Sequence, residues 1–368
     1  MQSASRRSFL TAVSAGVSAS LNVRLFASQD DTVTWYDVRD WGIEGRGFSD
    51  TESYFDRLPS RAKGVVRDAV WSLSRHSAGM MVRFRSSAPE IHVDYSVTSE
   101  SLAMPHMPAT GVSGLDLYGK DTDGQWRWIA VTHPTARHTQ AKLITGLPGE
   151  SCEFSVYLPL YNGTEFLKIG VPKGSLFEPI QPRTEKPIVF YGTSITHGAC
   201  ASRPGMPHPA ILGRRLNQPV INLGFSGNGR MESEVGGFLA ELSPAVYVID
   251  CLPNMNAAEV TERTVPLVRQ LRAAHPDVPI ILVEDRSYSG SWIIHSQRVR
   301  NETSRAALKA EYQKLLEVGV TGLHYIAGES LLGPDRDDTT DGSHPSDLGF
   351  MRHADAFEPI LRSALDRA

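Results

Sequence analysis

The hydrophobic rhythm of the chain changes once, at a short proline-bracketed segment, Gln181-Pro182-Arg183-Thr184-Glu185-Lys186-Pro187. Upstream the apolar residues recur every second position. Ile91, Val93, Tyr95 and Val97 alternate with His92, Asp94 and Ser96, as in a strand with one buried face. Downstream, short apolar runs at 188–191, 220–223, 245–249, 280–283 and 323–326 alternate with candidate helices at 209–216, 234–242, 258–274, 301–318 and 346–365. Neither an all-helical bundle nor a single β-barrel accommodates both rhythms. The pattern predicts a β-rich domain over 31–180 and an α/β domain over 186–368, the latter with a parallel sheet covered on both faces in three α/β/α layers. A length of 368 residues suits two cores at roughly 150 residues per domain.

In the first half, Met81-Val82-Arg83-Phe84 is a further strand candidate, and runs at 115–118 and 126–129 flank an Asp123-Gly124 turn. The segments 157–161 and 166–171 flank Asn162-Gly163, the pair that accepts the positive φ angles of a type I′ turn, and so predict a hairpin. Several short strands separated by turns point to a β-sandwich, jelly-roll-like in character. His76, His92, His106, His133 and His138 lack metal-ligand spacing and read as solvent-facing or satisfied core residues.

Residues 1–30 read as an address. Arg6-Arg7 followed by Ser8-Phe9-Leu10 and a weakly apolar stretch is the twin-arginine export pattern, so the expected location is periplasmic or extracellular. No later apolar run approaches the roughly 18–20 residues of a membrane-spanning helix. A net charge of −4 argues against nucleic acid as a partner. Cys152, Cys200 and Cys251 are too few for a disulfide framework and contain no zinc-like Cys-x-x-Cys, so they read as unpaired thiols, with one Cys–Cys pair the alternative in an oxidising compartment.

In parallel α/β sheets, ligands bind beyond the carboxyl ends of the strands. Gly192-Thr193-Ser194-Ile195-Thr196 follows the first predicted strand, Gly224-Phe225-Ser226-Gly227-Asn228-Gly229 the second, and Asp250-Cys251-Leu252-Pro253-Asn254 the third. Asp341-Gly342-Ser343-His344 precedes the last predicted helix. A serine hydroxyl needs an adjacent base, an imidazole base needs a carboxylate to set its tautomer, and acyl transfer needs donors aimed at the oxyanion. Ser194, His344, Asp341, Gly227 and Asn254 supply one of each part. Two other readings fit less well. The Gly224–Gly229 loop lacks the Gly-x-Gly-x-x-Gly spacing of a dinucleotide site, and Asp335, Asp337, Asp338 and Asp341 lack an EF-hand loop for calcium. No cofactor is expected.

These blocks, in this order, resemble the SGNH, or GDSL-type, hydrolase superfamily. Gly114-Leu115-Asp116-Leu117-Tyr118 is similar to the Gly-x-Asp-Leu-Tyr motif of a domain found ahead of some of these esterases. The resemblance implies Ser194 as nucleophile, His344 as general base and Asp341 as its orienting partner. The Ser194 N–H, the Gly227 N–H and the Asn254 amide would form the oxyanion hole. Two positions depart from the family pattern. Thr193 stands where an Asp is usual, and the third block reads Leu252-Pro253-Asn254-Met255 where Gly-x-Asn-Asp is usual, which leaves Asn228 and Asn256 as rivals to Asn254. The resemblance further implies hydrolysis of short acyl esters, acetyl above all, of carbohydrates. A lipid or lysophospholipid esterase, an acyltransferase with the same triad, and an inactive carbohydrate-binding protein are the alternatives.

Overall fold

The structure, a computed structural model, describes residues 32–366, so the expected export signal lies outside the described residues. In the first half the elements run β1 (Val33–Asp37), α1 (Asp68–Ser74), β2 (Met81–Ser86), β3 (Glu90–Val97), α2 (Ala109–Val112), β4 (Asp116–Lys120) and β5 (Trp126–Val131). They continue through β6 (His138–Thr145), β7 (Cys152–Tyr157), β8 (Thr164–Pro172) and β9 (Phe177–Ile180). Two antiparallel sheets result, ordered β1-β8-β3-β6 and β5-β4-β7-β2-β9. Val93 and Tyr95 of β3 and Leu167 and Ile169 of β8 share one buried cluster with Val82, Phe84, Leu117, Phe154 and Val156 of the other sheet. The alternation read along β3 therefore marks its inward face.

The hairpin expected around Asn162-Gly163 does not form. β7 pairs with β2 and β4, whereas β8 pairs with β1 and β3, so this segment crosses between sheets. Neither residue has a positive φ. The Asn162 amide is buried instead, donating to Ser99 O and Ser113 Oγ and accepting from Ser99 N. A Cβ at Gly163 would lie 2.6 Å from Arg75 O. Tertiary contacts, not turn geometry, chose these two residues.

After Pro187 the elements are β10 (Ile188–Gly192), α3 (Ser194–His197), α4 (His208–Leu216), β11 (Val220–Gly224), α5 (Ser233–Ala240), β12 (Val246–Asp250) and α6 (Ala257–Ala274). Then come β13 (Ile280–Val283), α7 (His295–Glu317), β14 (Leu323–Ile326) and α8 (Asp347–Leu365). The strands form one parallel sheet ordered β11-β10-β12-β13-β14. Successive residues of β10 point into different cores. Val189 and Tyr191 join a cluster with Leu267, Leu271 and Leu308 of α6 and α7, while Ile188 and Phe190 join one with Leu212, Phe350 and Phe357 of α4 and α8. A sheet buried on both faces needs apolar residues at every position, which is why these strands read as short continuous runs. Truncating a fully buried residue such as Phe190 to Ala should cost about 3–5 kcal/mol.

The two halves interlock. Phe48, Leu58, Ala62, Val66 and Val70, which lie between β1 and β2, belong to the same cluster as Val189 and Tyr191 of the parallel sheet. Arg57 is fully buried among carbonyls, donating to Asn222 O at 3.1 Å, Gly224 O at 2.8 Å and Leu73 O at 2.6 Å. Burial without a carboxylate partner lowers its guanidinium to a pKa of about 9. Leu115, just ahead of β4, and Leu117 within it face the core between the antiparallel sheets, whereas Asp116 and Tyr118 face the α/β half. Asp116 accepts from Trp128 Nε1 at 2.9 Å, Gly205 N at 2.8 Å and Arg203 Nη1 at 3.0 Å, and Arg203 also donates to the Tyr118 hydroxyl. The Gly-x-Asp-Leu-Tyr segment thus docks one half on the other.

Candidate active site

The parallel register sets Gly192 opposite both Gly224 and Asp250, so the segments after β10, β11 and β12 leave the sheet at one level. The first of them turns directly into α3. Thr193 is its N-cap and its hydroxyl accepts from Ile195 N at 3.2 Å, which explains how Thr serves where an acid is usual. Gly198, with a φ of +109°, ends the helix after one turn.

Ser194 stands at the start of α3 with its Oγ 2.8 Å from His344 Nε2. His344 Nδ1 lies 2.7 Å from Asp341 Oδ2, and Asp341 Oδ1 accepts from His344 N at 2.8 Å and Ser343 N at 3.0 Å. Desolvation would raise the Asp341 carboxyl, but the hydrogen bonds and charge of His344 outweigh it and hold the group below the ordinary carboxylate value. The segment carrying both residues is pinned from two sides, by Thr340 N donating to His344 O and by Ser289 N donating to Gly342 O. All three residues expected at the centre of the chemistry are therefore brought together.

The loop after β11 closes with Asn228 N and Gly229 N donating to Phe225 O, which leaves the Gly227 N–H outside the turn's own hydrogen bonds. Gly227 has a φ of +69°, and no atom lies within 4 Å of where its Cβ would be. Gly229 is there for the opposite reason, since a Cβ would meet Gly192 O at 1.9 Å. Asn254 lies in the short turn after β12, and its Nδ2 donates one hydrogen to Gly229 O at 3.2 Å, leaving the second free of that bond. The rival amides bond different partners. Asn228 Oδ1 accepts from Arg67 and its Nδ2 donates to Ser226 O, while Asn256 caps α6 in a reciprocal box with Glu259.

Several neighbours were not legible in the sequence. Cys200, three residues beyond α3, places its Sγ within 4.8 Å of donor atoms of Asp341 and His344. Burial pushes its thiol up to about 11. The His106 ring, from the first half, lies 6.2 Å from the His344 ring. Tyr161 stacks on His197 at 4.1 Å, with its hydroxyl 3.4 Å from Ser194 O. His197 and His208, close to Ser194 in sequence, are fully buried, and burial depresses both well below the ordinary imidazole value. His197 Nε2 bonds Leu160 O at 2.7 Å, while His208 Nε2 lies 3.8 Å from Asp250 Oδ2. Asp250 accepts from Thr196 Oγ1 at 2.9 Å, and burial raises its carboxyl to about 7. All three cysteines are free. A small cavity of about 20 Å³ lies away from this constellation, lined by Glu44, Tyr157, Arg183 and Arg214 where the two halves meet.

An enzyme with a parallel α/β sheet, its serine on the first turn and an Asp-x-x-His pair before the last helix, is the class to which the comparisons also lead. The GDSL-like lipase/acylhydrolase family matches residues 185–362, and the N-terminus of SGNH-hydrolase-type esterases, the GxDLY family, matches residues 33–177. A protein from Bacteroides ovatus described as a GDSL-like lipase is 33% identical, with a TM-score of 0.86 over 91% of this chain and 99% of that one. The chain belongs to the GDSL-like, or SGNH, esterases with a GxDLY N-terminus. Two more distant structures share the fold. A salicylyl-acyltransferase, SsfX3, from a tetracycline biosynthetic pathway is 18% identical, with a TM-score of 0.69 over 93% of this chain and 98% of that one. A family two carbohydrate esterase from Cellvibrio japonicus is 13% identical, with a TM-score of 0.60 over 91% and 98%. No curated protein matches the chain. Among the described residues, no helix is long and apolar enough to cross a membrane.

Proposed function

We propose that this esterase removes short acyl groups, acetyl in particular, from carbohydrates through an acyl-enzyme on Ser194. The observation that carries the reading is the continuous chain Ser194 Oγ–His344 Nε2–Nδ1–Asp341, at 2.8 and 2.7 Å. Ser194 Oγ attacks the acyl carbon while His344 Nε2 takes its proton, and Asp341 stabilises the imidazolium. The tetrahedral oxyanion is received by the N–H groups of Ser194 and Gly227 and by the Asn254 amide. His344 then returns the proton to the departing sugar oxygen, and water repeats the sequence to release the acid. The carbohydrate class is supported by the likeness in fold to family two carbohydrate esterases from Cellvibrio japonicus and Clostridium thermocellum. In this reading the two antiparallel sheets form one jelly-roll-like sandwich ahead of a three-layer catalytic domain, and the enzyme is exported by the twin-arginine segment.

The test is a panel of p-nitrophenyl esters of increasing chain length run beside acetylated sugars, with release of free acid separated from transfer to an added alcohol. Preference for acetyl and release of acetate support the reading. Preference for long acyl chains would replace the substrate class, and dominant transfer would replace hydrolysis. Ser194→Ala should lower kcat by a factor on the order of 10⁶. An alkyl phosphonate that labels a different serine overturns the nucleophile.

A further inference from the structure

Cys200 has no part in the ester chemistry just described, yet its position is unusual in two ways. Its φ is +70°, a region that residues other than glycine seldom occupy. Its Sγ also converges with a carboxylate oxygen of Asp341 and a ring nitrogen of His344, all within 4.8 Å of one another. A thiolate, an imidazole and a carboxylate are the donor types that zinc takes, at bond lengths of about 2.0–2.3 Å. In a tetrahedral site such donors stand roughly 3.3–3.7 Å apart, so gathering these three needs changes in separation of about 1.5 Å at most. The thiol is buried, but Asp341 and His344 keep 40% and 25% of their side-chain surface, which leaves an ion a path from solvent.

We propose that Cys200, Asp341 and His344 form an inhibitory site for a soft divalent cation, zinc or cadmium, which switches the esterase off by capturing its base. The inference rests on the triad reading above and adds a mode of control to it. The cation takes an electron pair from Cys200 Sγ, whose proton leaves to solvent, one from an Asp341 oxygen and one from His344 Nδ1. Water completes the tetrahedron. Metal on Nδ1 forces the ring proton onto Nε2, the nitrogen that faces Ser194 Oγ. Nε2 then donates and cannot accept the serine proton, and Asp341 is drawn away from its orienting role. Hard cations such as magnesium and calcium gain little from a thiolate and leave the enzyme active.

The experiment measures hydrolysis of p-nitrophenyl acetate by the folded enzyme against zinc, cadmium and magnesium. Zinc and cadmium should inhibit reversibly, with activity restored by a chelator, and magnesium should not. Losing even a supporting group around a metal costs 10–100-fold in affinity, so Cys200→Gly, which also suits the positive φ, should raise the half-inhibitory concentration at least about tenfold. Cys152→Ala and Cys251→Ala should leave it unchanged. The cadmium–thiolate absorption band is read in parallel in Ser194→Ala, where turnover plays no part, and should disappear when Cys200→Gly is added. If Cys200→Gly does not fold, Cys200→Ser gives the same readout. Equal inhibition in the Cys200 variant, or none in the parent enzyme, overturns the proposal while leaving the triad standing. Full activity in Ser194→Ala overturns the triad, and the inference with it.

Discussion

Asp341 grips His344 at two points, accepting from its backbone N at 2.8 Å with one carboxylate oxygen and meeting its ring Nδ1 at 2.7 Å with the other. A spacing of three residues makes both bonds possible within one turn of chain. The carboxylate that sets the ring tautomer therefore also sets the backbone from which the ring hangs. Asp341→Asn should keep the turn, since an amide oxygen still accepts from His344 N, but it should weaken control of the tautomer. We expect kcat to fall by about 10³–10⁴ with little change in melting temperature. A loss of stability as large as the loss of rate would mean that the backbone bond is the main role.

The oxyanion assignment separates three neighbouring amides. Asn254→Ala should lower kcat by roughly 10²–10³ with KM almost unchanged, because the donor acts on the transition state. Asn256→Ala removes the cap of α6 and should instead cost about 1 kcal/mol of stability, with activity retained. Asn228→Ala should do little to either. A large kcat loss in Asn256→Ala, with Asn254→Ala near wild type, would falsify this assignment.

The Gly-x-Asp-Leu-Tyr segment makes a separable prediction. Asp116 is fully buried, and its removal takes the acceptor from the Gly205 N–H and Trp128 Nε1, while Arg203 keeps the Tyr118 hydroxyl. Asp116→Ala should destabilise the protein by about 1–3 kcal/mol, read from denaturant unfolding, because the buried Gly205 N–H is left without its acceptor. Isolated activity loss without destabilisation would instead assign Asp116 to the substrate.

The pH dependence of stability should contain two opposed contributions. Burial lowers His353 to about 4 and, with help from Arg57, His76 to about 3. In the unfolded chain these rings take up protons near 6.5, so the stability they confer is complete above that pH and drains away as pH falls towards 4 and 3. Asp250, raised to about 7 by burial, works the other way. Its contribution is complete below the unfolded carboxyl value near 4 and is lost as pH rises to 7. His353→Gln should therefore flatten the loss of stability between pH 6.5 and 4, and Asp250→Asn should remove a decline between pH 4 and 7. Urea midpoints across pH 4–8 test both, and identical profiles for the two variants would contradict the assignment.

The proposed export signal lies outside the described part of the chain. Replacing Arg6 and Arg7 together by Lys should hold full-length precursor in the cytoplasm, measured by fractionation. A trimmed, active form appearing outside in undiminished amount would contradict a twin-arginine route.

Much of this protein could be read from local pattern. Strand β3 and the five parallel strands follow from apolar spacing, because one-faced and two-faced burial impose different periods. α7 begins six residues before the expected 301, at His295, because its first turns carry polar residues and little periodicity. Asp341 and His344 are legible because three residues suffice to make their contact. Other features needed the folded chain. The Asn162-Gly163 pair has turn chemistry, yet a buried amide at Asn162 turned it into a crossing between sheets. Cys200, His106 and Tyr161 reach the nucleophile's surroundings from positions that no spacing rule connects. The residues around Arg57, expected in the β-rich half, complete the core of the α/β half. Sequence determines what a segment can do with its own neighbours along the chain. Which distant side chain fills a given space is settled only when the cores close, because close packing depends on shapes supplied from all of them at once.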